Sequence, residues 1–141
     1  MERPEVTKKN KYWIDRHRYY ELKHFCLQYP LWKRRLNHLR EDTSLGGDYF
    51  DRIAKTGKPA VFDSRPVEVA TLQYLLYKGH VDMVERIARK LDPVIGDYIL
   101  KGVTEGRPYE YLRTNYNIPC NRFDYYDLYR KFFYYLSKER Q

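Results

Sequence analysis

Cysteine is scarce in this 141-residue chain: Cys26 and Cys120 are its two thiols. They lie far apart with no CxxC pairing, which excludes a disulfide framework and a zinc cluster and fits a reducing cytoplasm. Long apolar runs are missing as well. No stretch approaches the roughly 18 apolar residues of a membrane span, and Met1 to Lys11 is polar with no apolar core, so neither membrane insertion nor an export signal is expected. The chain has no glycine-rich phosphate loop and no nucleophile-base arrangement. Its histidines, His17, His24, His38 and His80, are scattered, and only His24 has a cysteine two residues away, a spacing with no support as a metal site. The expectation is therefore a protein that is not an enzyme and needs no cofactor or metal.

Charge and tyrosine are what the chain has in excess. With 27 Lys and Arg against 19 Asp and Glu, the formal charge is +8, which favours a polyanionic partner without implying sequence selectivity. The excess sits at the ends: residues 1 to 43 carry 11 basic and 6 acidic side chains, residues 107 to 141 carry 7 and 4, and the middle is neutral. Sixteen tyrosines suit a small core whose edges meet water, a partner or phosphates, because the ring buries while the hydroxyl keeps a hydrogen bond.

Apolar periodicity points to an all-α chain of six or seven helices, one domain over residues 1 to 141, large enough to bury a core. After a polar tail of ten residues, Tyr12, Trp13, Tyr19, Tyr20, Leu22, Phe25, Cys26 and Tyr29 mark one face of a helix from Lys11 to Gln28. Pro30 interrupts it, and a second helix from about Leu31 to Asp42 turns Trp32, Leu36 and Leu39 inward and Lys33, Arg34, Arg35 and Arg40 outward. Together residues 11 to 42 form a basic, aromatic helical pair. Residues 43 to 63, broken by Gly46, Gly47, Gly57 and Pro59, read as a loop, with Ala60, Val61 and Phe62 as a short extended piece. Asp63-Ser64-Arg65-Pro66 carries helix-start chemistry. Val69, Leu72, Leu75 and Leu76 then form an apolar stripe, Gly79 marks a break, and Val81, Val84, Ile87, Ala88 and Leu91 form the next. Asp92-Pro93 starts a further helix that ends at Gly106.

Residues 107 to 139 outline a helix-turn-helix, the unit that sets one helix against a nucleic-acid groove. Pro108 opens its first helix, with Tyr109, Leu112 and Tyr116 inward. Asn117 to Asn121 make the turn, and Asn121 caps a second helix whose inward stripe is Tyr125, Leu128, Tyr129, Phe132, Tyr135 and Leu136. The outward face is left with Arg122, Phe123, Tyr126, Asp127, Arg130, Lys131 and Tyr134. Early positions of such a helix meet base edges and flanking cations hold phosphates, so Arg122 and Tyr126 are the candidate readers and Arg113, Arg130 and Lys131 the phosphate partners, with Asn121 and Phe123 completing the candidate DNA-binding set. Lys33, Arg34 and Arg35 are further candidates for phosphate contact. The bland alternative is a helical hairpin with a solvated face, and the aromatic surface of Tyr12 to Tyr29 leaves open pairing with a second copy as a homo-oligomer.

Residues 19 to 139 resemble the small phage and prophage transcriptional activators of the RinA type, whose C-terminal part is similar to region 4 of bacterial sigma factors. Three stretches carry the resemblance: Tyr29-Pro30-Leu31-Trp32-Lys33 with the basic helix after it, Arg65-Pro66-Val67-Glu68 with its helix, and Asn117-Ile118 through Leu128-Tyr129-Arg130-Lys131 to Leu136. The resemblance implies a cytoplasmic activator of late or mobile-element genes, acting on double-stranded promoter DNA with host RNA polymerase. The chain departs from the pattern at Phe123, Asp124 and Tyr125, where such families place small or hydroxylated residues. That departure keeps a second reading open, a protein-interaction module that meets RNA polymerase or another regulator.

Overall fold

A computed structural model describes residues 8–42, 45–56 and 64–141. Among them lie seven helices and no strand: α1 (Arg16–Leu27), α2 (Tyr29–Asp42), α3 (Gly46–Thr56), α4 (Arg65–Leu91), α5 (Gly96–Glu105), α6 (Tyr109–Tyr116) and α7 (Arg122–Glu139). The all-α class expected from periodicity is what forms. Where the sequence reads as one domain, the chain divides into two compact units, residues 1–28 with 84–141, and residues 29–83. Helix α4 gives its residues up to Met83 to the latter and those from Val84 onward to the former.

The unit of residues 1–28 and 84–141 is organised around α7. Tyr125, Tyr129, Phe132, Phe133 and Leu136 recur at three- and four-residue intervals and are all buried, each worth about 1.5–3 kcal/mol when removed from water. Phe133 takes the inward place expected of Tyr135, which is 39% exposed. Helix α1 supplies Tyr19, Leu22, Phe25 and Cys26 at the same spacing, and the hydroxyls of Tyr19 and Tyr129 share a buried hydrogen bond of 2.7 Å. This helix starts at Arg16 and not at Lys11, because the Asp15 carboxylate accepts from the amide of His17 at 2.9 Å and sets the cap there. Tyr12 lies ahead of the helix, its ring edge-on to Tyr134 with centroids 5.2 Å apart.

Arg18 fixes the other end of α7. Its guanidinium donates to the carbonyls of Ser137 at 3.1 Å and Arg140 at 2.7 Å, and to the Ser137 hydroxyl at 3.1 Å, satisfying carbonyls that a helix end leaves without partners. Asp92 accepts from the amides of Val94 and Ile95 at 2.8 and 2.7 Å. It therefore caps a turn, and α5 follows at Gly96. The helix ends where expected, Gly106 taking a φ of 69° with its N–H on the Gly102 carbonyl.

In the unit of residues 29–83, Trp32, Leu36 and Leu39 of α2 are buried, as their spacing predicts, and Pro30 sits in the first turn, where its missing N–H costs nothing. Three expectations are corrected. The loop of residues 43–63 contains α3, because Tyr49, Phe50 and Ile53 form an apolar face that packs, with Phe50 stacked on Tyr74 at 4.7 Å. Gly46, at φ 79°, stands at the start of that helix instead of breaking it. The extended piece expected at Ala60, Val61 and Phe62 lies outside the described residues. Gly79 does not interrupt α4, since one interior glycine costs about 1 kcal/mol relative to alanine and the buried side chains around it outweigh that. Finally, α4 buries Thr71 and Tyr74 in place of the stripe Val69, Leu72, Leu75 and Leu76, of which Leu75 is half-buried and the other three face solvent, while Val81 is buried as expected. The Tyr49 and Thr71 hydroxyls meet at 2.5 Å, and Thr71 also donates to the Val67 carbonyl, so this polar pair is satisfied inside the packing.

Candidate nucleic-acid interface

Helices α6 and α7 and their turn are held by tyrosines. The Tyr109 hydroxyl donates to the Cys120 carbonyl at 2.5 Å and fixes the turn against α6. The Tyr126 hydroxyl accepts from the backbone amide of Tyr109 at 3.3 Å, one of the donors that the start of a helix leaves unpaired. Asn117 adopts the left-handed conformation at φ 51° to end α6, a place for which asparagine is suited. Ile118 is buried beneath the turn. Asn121 then caps α7, its side-chain oxygen accepting from the amide of Asp124 at 2.8 Å. Burial, then the nearby Asp124 and Asp92 carboxylates, pushes the Cys120 thiol up, so it stays protonated at neutral pH.

The turn presents a short outward surface at the start of α7. Phe123 is its most exposed large apolar side chain, at 75%. Arg122 is 67% exposed, pairs with the Glu110 carboxylate across the turn, and lies 5.4 Å from the centroid of the Tyr126 ring. Arg113, one turn beyond Glu110 on α6, is exposed and has no side-chain partner among the described residues. Arg107 and Lys101 stand over the rings of Tyr111 and Tyr116, at 4.3 and 4.4 Å, and extend the cationic surface along α5 and α6. Tyr116, expected inward, is among the exposed residues.

Three of the sequence candidates sit differently from expectation. Tyr126 is half-buried, and its hydroxyl oxygen accepts from the Tyr109 amide, so it braces α6 and has only its O–H left to donate. Arg130 and Lys131 share Asp127, at 3.5 and 3.1 Å, and are mostly covered, with side chains 20% and 31% exposed. The hydrogen bond to Asp127 is the chief reason the Lys131 amine is held above its ordinary value, and Lys131 also lies 5.3 Å from the Tyr12 ring centroid. Half of their charge is thus compensated within α7, a pairing visible in their i+3 and i+4 spacing from Asp127. The Glu110 to Arg122 pair links two helices and leaves no such local signal.

The run Lys33, Arg34 and Arg35 also separates. Lys33 lines a groove toward α3 with Arg40, Asp51 and Lys78, whereas Arg34 and Arg35 line a different groove with Gln73 and Tyr77 of α4. The three do not form one phosphate clamp. Among the described residues no group of three or more His, Cys, Asp or Glu is placed to hold a metal, and no helix is long and apolar enough to cross a membrane. Comparison with family models, with curated proteins and with solved structures found no match to the chain.

Proposed function

We propose that the protein is a DNA-binding transcription regulator, an activator of late or mobile-element genes, that engages duplex promoter DNA through the start of α7. One observation carries the reading: a tyrosine-braced α6-turn-α7 unit presents Arg122 and Phe123 on the capped first turn of its second helix, beside the unpaired Arg113. A capped helix start offers amides and a positive dipole end to phosphate. Arg113 and Arg122 then neutralise backbone charge, and Phe123 meets the apolar edge of a base such as a thymine methyl. Releasing Arg122 from Glu110 costs little, because exposed ion pairs contribute about 0–1 kcal/mol. The resemblance to RinA-type activators supports the same reading and adds host RNA polymerase as the protein partner. No catalysis, metal or cofactor enters.

The rival is a protein-interaction module, favoured by Phe123 standing exposed beside the Asp124 carboxylate, which repels phosphate. Duplex binding at two salt concentrations separates them. Each neutralised phosphate steepens the fall of log affinity with log salt by about 0.9, so Arg113→Ala with Arg122→Ala should flatten the slope by about 2. Arg130→Ala with Lys131→Ala should change it less. Circular dichroism verifies that each variant is folded. A slope and affinity indifferent to Arg113→Ala, Arg122→Ala and Phe123→Ala sinks the assignment.

A further inference from the structure

Val69, Leu72 and Leu76 follow one another along α4 at spacings of three and four residues and remain exposed, Leu72 at 49% and Leu76 at 54%. Aliphatic side chains in that register form one continuous stripe along a helix. Such a stripe on a charged chain marks a surface that a partner covers. From Val69 to Leu76 it runs about 10 Å, two turns, at 1.5 Å per residue.

Beside the stripe lies a groove of about 460 Å³ between α2 and α4. Gln73, four residues from Val69 and three from Leu76, joins the two on the surface of α4. Leu31, Leu39 and Tyr77 give the groove apolar walls, and Arg34, Arg35 and His38 line it with cationic or titratable groups; no lining residue is acidic. Arg35 donates to the Tyr77 hydroxyl at 2.8 Å and lies 5.5 Å from the centroid of that ring, which holds the guanidinium at the wall. Neither Arg34 nor Arg35 has a carboxylate partner among the described residues.

The two features call for different chemistry in one ligand. A phosphate backbone would answer the arginines and leave Val69, Leu72 and Leu76 against charge. A second copy of this chain would answer the leucines and bring another arginine pair, on a chain of net charge +8, against the first. An amphipathic helix rich in carboxylates satisfies both, laying its apolar face on the stripe and its acids on the groove. We propose that the α2–α4 face of residues 29–83 docks an acidic amphipathic helix of another protein. Val69, Leu72 and Leu76 supply the apolar contact, and Arg34 and Arg35 set the charge preference. This assignment is independent of the α6–α7 reading and uses none of its residues.

The test uses the full chain and a fluorescent designed helical peptide with leucines at three- and four-residue spacing and glutamates flanking them. Two controls accompany it, a scrambled peptide of the same composition and a peptide with lysine in place of glutamate. Anisotropy titration should show the acidic helix binding at least about tenfold more tightly than either control. Leu72→Asp with Leu76→Asp, and separately Arg34→Glu with Arg35→Glu, should each weaken it about tenfold or more. All four positions lie on the surface, so the fold should persist, and unchanged circular dichroism verifies this. Equal binding of the scrambled peptide overturns the proposal, as does indifference to both pairs of substitutions. Displacement of the peptide by duplex DNA, with DNA affinity lost in the arginine variants, would make the face a nucleic-acid surface and also overturn it. A concentration-dependent dimer in sedimentation that Leu72→Asp abolishes would assign the stripe to a second copy, with the same consequence.

Discussion

Tyr125 and Gly102 form a pair whose energetics can be worked from the structure. The Tyr125 side chain is completely buried, boxed by the rings of Tyr109, Tyr126 and Tyr129 at centroid distances of 5.6, 5.0 and 6.1 Å. Its hydroxyl has no hydrogen-bond partner among the described residues and fits because residue 102 has no side chain: a Cβ there would clash with the oxygen. The ring cannot swing away from so close a contact. Gly102→Ala should therefore incur an overpacking cost of about 1–3 kcal/mol, offset by about 1 kcal/mol of improved helix propensity in α5. The net loss is about 0–2 kcal/mol.

Tyr125→Phe acts in the opposite direction. An unpaired buried hydroxyl costs about 1–3 kcal/mol, so its removal should stabilise by about 1 kcal/mol after allowance for the small void left behind. In the double variant the new methyl group meets the ring carbon and the Arg107 carbonyl at 3.4 Å, ordinary contact. The double variant should then exceed the native protein by about 2 kcal/mol, with a coupling of about 1–3 kcal/mol between the sites. Urea unfolding followed by far-ultraviolet circular dichroism measures all four corners of the cycle. Additive effects, with Gly102→Ala costing the same in the Tyr125→Phe background as in the native chain, would refute the contact. Destabilisation by Tyr125→Phe alone would show that the hydroxyl has a partner.

Other consequences follow for the same unit. Asn121→Ala should lose about 1 kcal/mol in denaturant unfolding through the missing cap on α7, and Asn121→Asp should recover most of it. Arg18→Ala should cost about 1–3 kcal/mol by stranding the carbonyls of Ser137 and Arg140, and Arg18→Lys should restore it only in part, because one ammonium cannot replace both Nη2, which holds the two carbonyls, and Nε, which holds the Ser137 hydroxyl. Burial, and then neighbouring groups, holds the phenols of Tyr125 and Tyr129 well above their ordinary range. The folded chain keeps those protons where the unfolded chain releases them, so stability is full below the unfolded phenol value of about 10 and falls as pH climbs from there toward the raised folded values. An alkaline unfolding series should show this fall, shallower in Tyr125→Phe; an unchanged slope would contradict the burial.

Helix positions were legible where apolar spacing and capping chemistry agreed. Trp32, Leu36 and Leu39 announced the inward side of α2, and Asn121 announced the start of α7, because caps and periodicity are local and survive without neighbours. Helix α3 was hidden by Gly46 and Gly47, which stand at its start and look like breakers. The stripe Val69, Leu72 and Leu76 misled for a different reason. Periodicity groups residues onto one face of a helix and does not say which face finds a neighbour. In the first half of α4 the packed face is carried by Thr71 and Tyr74, which have a weaker apolar signal, whereas Val81, Val84, Ile87 and Ala88 further on are buried as their spacing predicts.

The same limit governs the candidate interface. A basic residue on the outward side of a helix looks available for phosphate whether or not a carboxylate has already taken it. Arg130 and Lys131 illustrate the partly compensated case: they share the one Asp127 carboxylate, and the surrounding packing withdraws them further from solvent. Arg122 is paired as well, yet its pair with Glu110 is exposed and easily exchanged for a phosphate. Arg113 has no side-chain partner to exchange among the described residues. The surface that remains for a partner is small, and its chemistry turns on Phe123, whose exposed ring on a positive helix start suits a base edge in a groove or an apolar pocket on a protein equally well. The proposal of DNA as the partner rests on two arginines of the same unit, Arg113 with no side-chain partner among the described residues and Arg122 weakly held, since an apolar pocket would require neither.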